Sequence, residues 1–207
     1  KMNDTNVMTE VQKLLEKMRG NLYGLETDEG KLDVITGRFD ISYQWSGDAV
    51  YILDMSEDEE ITSSPVDLEY CIPESTSNLW FDGWVMMKGS DEKIQKAALA
   101  FINFLSMPEN AIRNMDYIGY TSCIAGDAVF DYVKDKYGAE DDEEETDVYD
   151  LTYFFGNDAK FQAPLTQFTR QLFAQYPTED IIDRLVIMEY FDKATNERAN
   201  RMWNNIK

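Results

Sequence analysis

Val7, Val11, Leu14, Leu15 and Met18 recur at helical spacing, which predicts an amphipathic helix near the start of the chain, with Gly20 as its terminator. From Phe39 to Trp45 the period changes to two. Phe39, Ile41, Tyr43 and Trp45 alternate with Asp40, Ser42 and Gln44, the pattern of a half-buried strand. A Ser46-Gly47-Asp48 turn leads into the apolar run 49–53, and the acidic stretch 54–67, with Ser63-Ser64-Pro65, reads as a surface loop. Segments 68–72 and 79–87 read as two further strands.

Helical periodicity returns with Ile94, Ala97, Ala98, Phe101, Ile102 and Leu105 on one face. Ser106-Met107-Pro108-Glu109 predicts a capping box with a first-turn proline, opening a helix through Ala111, Ile112 and Met115. A Gly119-Tyr120-Thr121-Ser122 loop follows, and further helices are predicted over 127–137, 164–176, 178–190 and 194–206. Strands early, helices late and some helices interleaved predict an α/β or α+β fold. No internal repeat is visible.

Composition narrows the chemistry. The 207 residues carry 40 Asp and Glu against 19 Lys and Arg, a formal charge of −21. That balance disfavours nucleic acid and anionic membrane surfaces as partners. There is no histidine, which removes His-based triads, general bases and metal sites. Two cysteines cannot build a four-thiolate zinc site. Cys71 and Cys123 are two ordinary thiols or a disulfide, and a bridge over so long a loop would add about 4 kcal/mol. The acidic run from Glu140 to Glu145, with Asp147 and Asp150, lacks the glycine and alternating ligands of a calcium loop and reads as a solvated loop. The chain opens without a basic start and apolar stretch, so no signal peptide is expected. No window approaches the ~18 apolar residues of a membrane span.

The segment Asn78-Leu79-Trp80-Phe81-Asp82-Gly83-Trp84 carries candidate chemistry. In a strand, Trp80 and Asp82 would share a face, and an indole beside a carboxylate suits an organic cation. The alternative is a core Trp80 with Asp82 capping a local turn. Trp45, at the end of its predicted strand, and Tyr120, in the loop after a helix, lie where ligand-facing residues collect in α/β folds.

The ordered segments 45–49 (WSGDA), 69–74 (EYCIPE), 78–82 (NLWFD), 100–105 (AFINFL), 108–111 (PENA), 118–122 (IGYTS) and 202–207 (MWNNIK) resemble the spermidine/putrescine-binding proteins of ABC transporters. The resemblance runs along most of the chain. It implies an α/β fold of the type II periplasmic-binding-protein kind, mainly the second lobe plus a segment of the first. Residues 1–79 would form the first part of lobe two, 80–129 would cross to lobe one, and 130–207 would return as helical lobe two.

By that resemblance, Trp45 and Tyr120 would be walls of a polyamine channel. Trp80 would stack on the methylene chain, Asp82 would pair with an ammonium, and Thr27 would fall near a polar contact. Further along, the pattern departs around Glu189. The implied partners are spermidine or putrescine and the transporter's permease and ATPase, with neither cofactor nor catalysis. The implied location is extracytoplasmic, anchored or fused to a permease. Relatives are longer, and this chain matches them from inside the second lobe onward. The resemblance therefore implies a C-terminal part with half a site, weak polyamine binding by itself, and exposed apolar surface on helix 94–105 met by dimerisation or changed packing. The competing expectations are a same-fold receptor for another small cationic or zwitterionic metabolite, a carboxylate-based hydrolase, and a purely structural module.

Overall fold

The structure, a computed structural model, describes residues 3–26, 28–58, 61–62, 66–140, 145–156 and 158–206. The first helix, α1 (Thr5–Arg19), starts where the Asp4 carboxylate accepts the Asn6 N–H at 2.8 Å, and Gly20 is its C-cap. Its apolar stripe meets α10 (Lys193–Ile206), the last helix. Met8, Met202 and Ile206 bury one another there, flanked by Val11 and Leu15. The two ends of the chain thus form one small helical pair.

Next come α2 (Gly30–Ile35) and α3 (Ser46–Glu57), which share a core of Val34, Ile35 and Ile52. The apolar run 49–53 is helical and buried on most of its circumference, and Asp54 to Glu57 extend that helix instead of opening the predicted loop. Residues 63–65 of that loop lie outside the described residues. Between α2 and α3, residues 39–45 form no ladder among the described residues, and Ile41 and Tyr43 are 90% and 87% exposed. The predicted half-buried strand is corrected to an unpaired extended segment. Alternation supplies one apolar edge, but a strand also needs a neighbour.

The same correction applies at 68–72, where, among the described residues, only the Tyr70 N–H donates to another backbone segment, at Thr169 O (2.7 Å). Of the predicted strand 79–87, only Leu79 is paired among the described residues, within β1 (Asn78–Leu79), which runs parallel to β4 (Val186–Ile187). Residues beyond it continue as an exposed segment whose Trp84 leans edge-on against Phe101 of α4 (Glu92–Leu105), with centroids 6.1 Å apart. Asp91 caps α4 through the Ile94 N–H. No residue of α4 is buried.

Helix α5 (Pro108–Ile118) begins at Met107, not in a capping box, because the Ser106 hydroxyl donates backward to Ile102 O at 2.9 Å. Helix α6 (Asp127–Tyr137) has the predicted bounds. The largest core surrounds it: Met115, Val129, Val133, Tyr137, Tyr149, Leu151, Phe161, Leu172 and Tyr176. Part of that core comes from a hairpin absent from the sequence-based expectation. Strand β2 (Thr146–Asp150) pairs antiparallel with β3 (Lys160–Pro164) around the short α7 (Thr152–Phe155). Asp147 and Asp150, predicted as loop, are therefore strand residues, while 141–144 lie outside the described residues.

The helix predicted over 164–176 is three pieces: the end of β3, a 3-10 turn over Leu165–Thr169, and α8 (Gln171–Gln175). Arg170, at φ −127° and ψ −146°, separates the last two, and Pro177 forces Tyr176 out of helical geometry. The helix predicted over 178–190 shrinks to α9 (Glu179–Ile182), because Val186 and Ile187 are drawn into pairing with β1. The fold is mixed helix and strand, dominated by helices, with two two-stranded sheets among the described residues. No described helix is long and apolar enough to cross a membrane.

Candidate functional site

Two glycines bring the site together. Helix α5 ends at Gly119, whose left-handed φ of 76° suits a residue without Cβ. A Cβ there would also stand 2.6 Å from Gly47 O. Gly47 lies in the first turn of α3, and a Cβ on it would be 2.1 Å from Tyr120 Cδ2. The N-terminus of α3 and the C-terminus of α5 therefore touch, with the Tyr120 ring laid on the Gly47 backbone.

The loop carrying Tyr120 is held from behind by buried Gln175. Its Nε2 donates to Gly119 O at 2.8 Å, and its backbone oxygen accepts the Thr121 hydroxyl at 2.5 Å. The Tyr137 hydroxyl donates to Gln175 Oε1 at 3.0 Å, so the amide is satisfied at both ends.

Trp80, just after β1, stands between two other aromatics. Its ring centroid is 5.2 Å from that of Trp45 and 5.6 Å from that of Tyr120, both in edge-on geometry. Such pairs contribute about 0.5–1.5 kcal/mol each beyond their buried area. Trp45 is the residue that introduces α3. Thus three of the predicted site residues, distant in sequence, form one aromatic row. Asp82 is exposed and makes no hydrogen bond or ion pair among the described residues. The strand that would align it with Trp80 is not formed beyond Leu79. Thr27 lies outside the described residues.

The carboxylate that does sit beside the aromatic row is Asp48, which pattern reading passed over. It is 9% exposed in the first turn of α3, where the helix dipole favours an anion. Lys31 Nζ donates to Asp48 Oδ1 at 3.0 Å, stands 3.6 Å from Asp28 Oδ1, and lies 5.9 Å from the centre of the Tyr51 ring. The hydrogen bond to Asp48 raises the Lys31 ammonium above the ordinary lysine range. Burial, followed by the negative charge of Asp48, pushes the Tyr120 hydroxyl well above the usual phenol range, so it stays a neutral donor. Had 49–53 been read as helix, Asp48 would have stood out as its first-turn acid.

Asp28, Glu29, Lys31, Asp48, Tyr51 and Tyr120 line an open depression of about 580 Å³, and of the aromatic row only Tyr120 reaches its wall. A neighbouring hollow of about 440 Å³ shares Tyr51 and Tyr117 with it and adds Asp54, Arg113 and Asp116. The geometry offers flat aromatic faces, a buried anion and a phenol donor. That combination has the chemistry to hold an organic cation. Cys71 and Cys123 are free and exposed.

Such a site belongs to the class of small-molecule binding proteins. Residues 2–141 match the family model described as bacterial extracellular solute-binding protein, and the chain belongs to that family. Members of such a family bind a solute outside the cytoplasm and pass it to a membrane transporter. No solved structure matches the chain.

Proposed function

We propose that this chain belongs to the substrate-binding component of a polyamine ABC transporter, capturing putrescine or spermidine for a permease and its ATPase. The carrying observation is the convergence of Trp45, Trp80 and Tyr120 beside the buried carboxylate of Asp48. A polyamine alternates charged ammoniums with short methylene spacers, so its receptor needs anions separated by apolar walls. Asp48 supplies one anion within the depression, and Asp82 supplies a second from the segment after Trp80. The fold reading that goes with this is type II periplasmic-binding-protein-like, with residues 80–129 as the segment crossing to the other lobe. The detachment of α4 from the core supports that division. The exposed apolar face of α4 supports self-association of the chain.

Calorimetry with putrescine, spermidine and the uncharged 1,4-butanediol tests the assignment. Both amines are expected to bind, more weakly than micromolar because the depression is open to solvent, and the diol is not. Trp80→Ala is expected to lose about tenfold in affinity, the loss of about 1.4 kcal/mol of stacking and cation–π contact. Asp82→Asn is expected to weaken spermidine and putrescine alike. Equal binding of the diol and the amines would overturn the polyamine reading.

A further inference from the structure

Lys31 presents, inside the depression, the chemistry its ligand would bring. Its ammonium is hydrogen-bonded to the Asp48 carboxylate and close to that of Asp28, and it lies over the face of Tyr51. A four-carbon methylene stem leads it there from α2. An alkylammonium on a flexible apolar chain, held by carboxylates and an aromatic ring, is what one end of a linear polyamine would look like when bound.

We propose that Lys31 is a tethered occupant of the cation site, and that ligand capture exchanges its ammonium for one of the ligand's. The inference rests on the polyamine reading of the site.

Three observations carry it. Asp48 is too buried to stand unpaired, since a lone carboxylate at that depth would lose hydration without compensation. The Tyr120 hydroxyl and the first turn of α3 offset part of that loss, and in the empty site the cation that pairs with Asp48 is Lys31. Next, Lys31 has an exit: Asp28, its second partner, is 82% exposed at the rim, so the freed ammonium keeps an anion while giving up Asp48. Finally, the lining carries Asp28, Glu29 and Asp48 against Lys31 alone, three carboxylates to one ammonium. The site is short of two positive charges with the lysine still at its edge, and a linear diammonium supplies two.

The exchange has a quantitative consequence. Each tenfold by which the lysine-closed form outweighs the open one lowers the apparent affinity of every competing ammonium about tenfold. The penalty falls on every ammonium alike, so a ligand retains useful affinity only through further contacts, as a diamine's second ammonium makes with the remaining carboxylates of the lining. Lys31 is thus a determinant of the affinity threshold and not a ligand contact.

Two measurements on the full chain test this, with putrescine as the probe and 1,4-butanediol as control. Calorimetry should find that Lys31→Met lowers the putrescine Kd about tenfold, while Lys31→Arg, which keeps a tethered cation, stays near the parent value. In the unaltered protein, the 15Nζ and 13Cε resonances of Lys31 should move toward free-lysine values as putrescine is added, saturating with the binding curve. This second reading needs no variant and so survives any folding defect of Lys31→Met. A Lys31→Met affinity equal to or weaker than the parent's, or Lys31 resonances unmoved at saturation, overturns the exchange while leaving the polyamine site standing. Absence of putrescine binding by the parent protein and by Lys31→Met overturns both.

Discussion

Gly47→Ala tests the contact on which the site is built. The added Cβ would stand 2.1, 2.2 and 2.4 Å from three atoms of the Tyr120 ring. Carbon atoms pack at about 3.5–4.0 Å, so the ring must retreat by about 1.5 Å. It cannot do so freely, because Gln175 holds the backbone on both sides of Tyr120. Overpacking of this kind costs about 1–3 kcal/mol, and this contact falls in the upper half of that range. Alanine in place of glycine returns up to about 1 kcal/mol through helix propensity, less in a first turn. The net loss is then about 1–3 kcal/mol, or about 2–12 °C in Tm for a chain of this size. The 5.6 Å contact between Trp80 and Tyr120 would open as well, changing tryptophan fluorescence.

Thermal unfolding followed by circular dichroism measures the loss, and a double-mutant cycle assigns it. In a Tyr120→Ala background the ring is gone, and Gly47→Ala should become neutral or stabilising. An equal cost in both backgrounds would show that the Gly47–Tyr120 contact does not exist as described.

Other outcomes follow from the same structure. Gln175→Leu keeps the side-chain volume but leaves Gly119 O and the Tyr137 hydroxyl without their partner; urea unfolding should show a loss of about 2–4 kcal/mol, and a loss below about 1 kcal/mol would contradict the clamp. Asp150 bonds to Lys160 across the β2–β3 hairpin and to the Thr152 N–H and hydroxyl, which lower its pKa from 3.8 to about 2. Because the folded value is the depressed one, its contribution is present above pH 3.8 and is lost as pH falls through about 2. Asp150→Asn should therefore flatten the acid limb of the stability curve across that window, and an unchanged limb would refute the assignment.

What the sequence made legible was local. Helices α1, α4, α6 and α10 are long, strongly periodic and bounded by their own signals, so pattern reading located each of them. Strands failed because pairing is a property of two segments. Residues 39–45 alternate well and have no strand partner among the described residues, whereas 146–150 sits in an acidic stretch and pairs fully with 160–164. The breaks at Arg170 and Tyr176 depend on where α8 must lie, although Pro177 was a local warning. At the site, Trp45, Trp80 and Tyr120 were visible as residue types, and their meeting was implied only by family resemblance. Asp48 was hidden by a misread helix. Lys31 was hidden for a different reason: a lysine in an acidic protein carries no pattern until its ammonium is found on a buried carboxylate.

The apolar side of α4 sets two large effects against each other. Ile94, Phe101 and Phe104 are all more than half exposed on that helix, and Trp84, Val85 and Met87 are exposed on the neighbouring segment. Burying such a surface against a second copy is favourable by about 25 cal/mol per Å², independent of salt to first order. The charge of −21 opposes it, since two such chains repel at any separation within a Debye length. That length is about 30 Å at 0.01 M ionic strength and about 3 Å at 1 M. Repulsion therefore acts over the whole approach at low salt and over almost none of it at high salt, while the apolar term persists. Light scattering on a size-exclusion column should show association that strengthens as sodium chloride is raised, and Phe101→Ser with Phe104→Ser should abolish it. A clean monomer at every ionic strength would mean that this face is too dispersed to bury against itself.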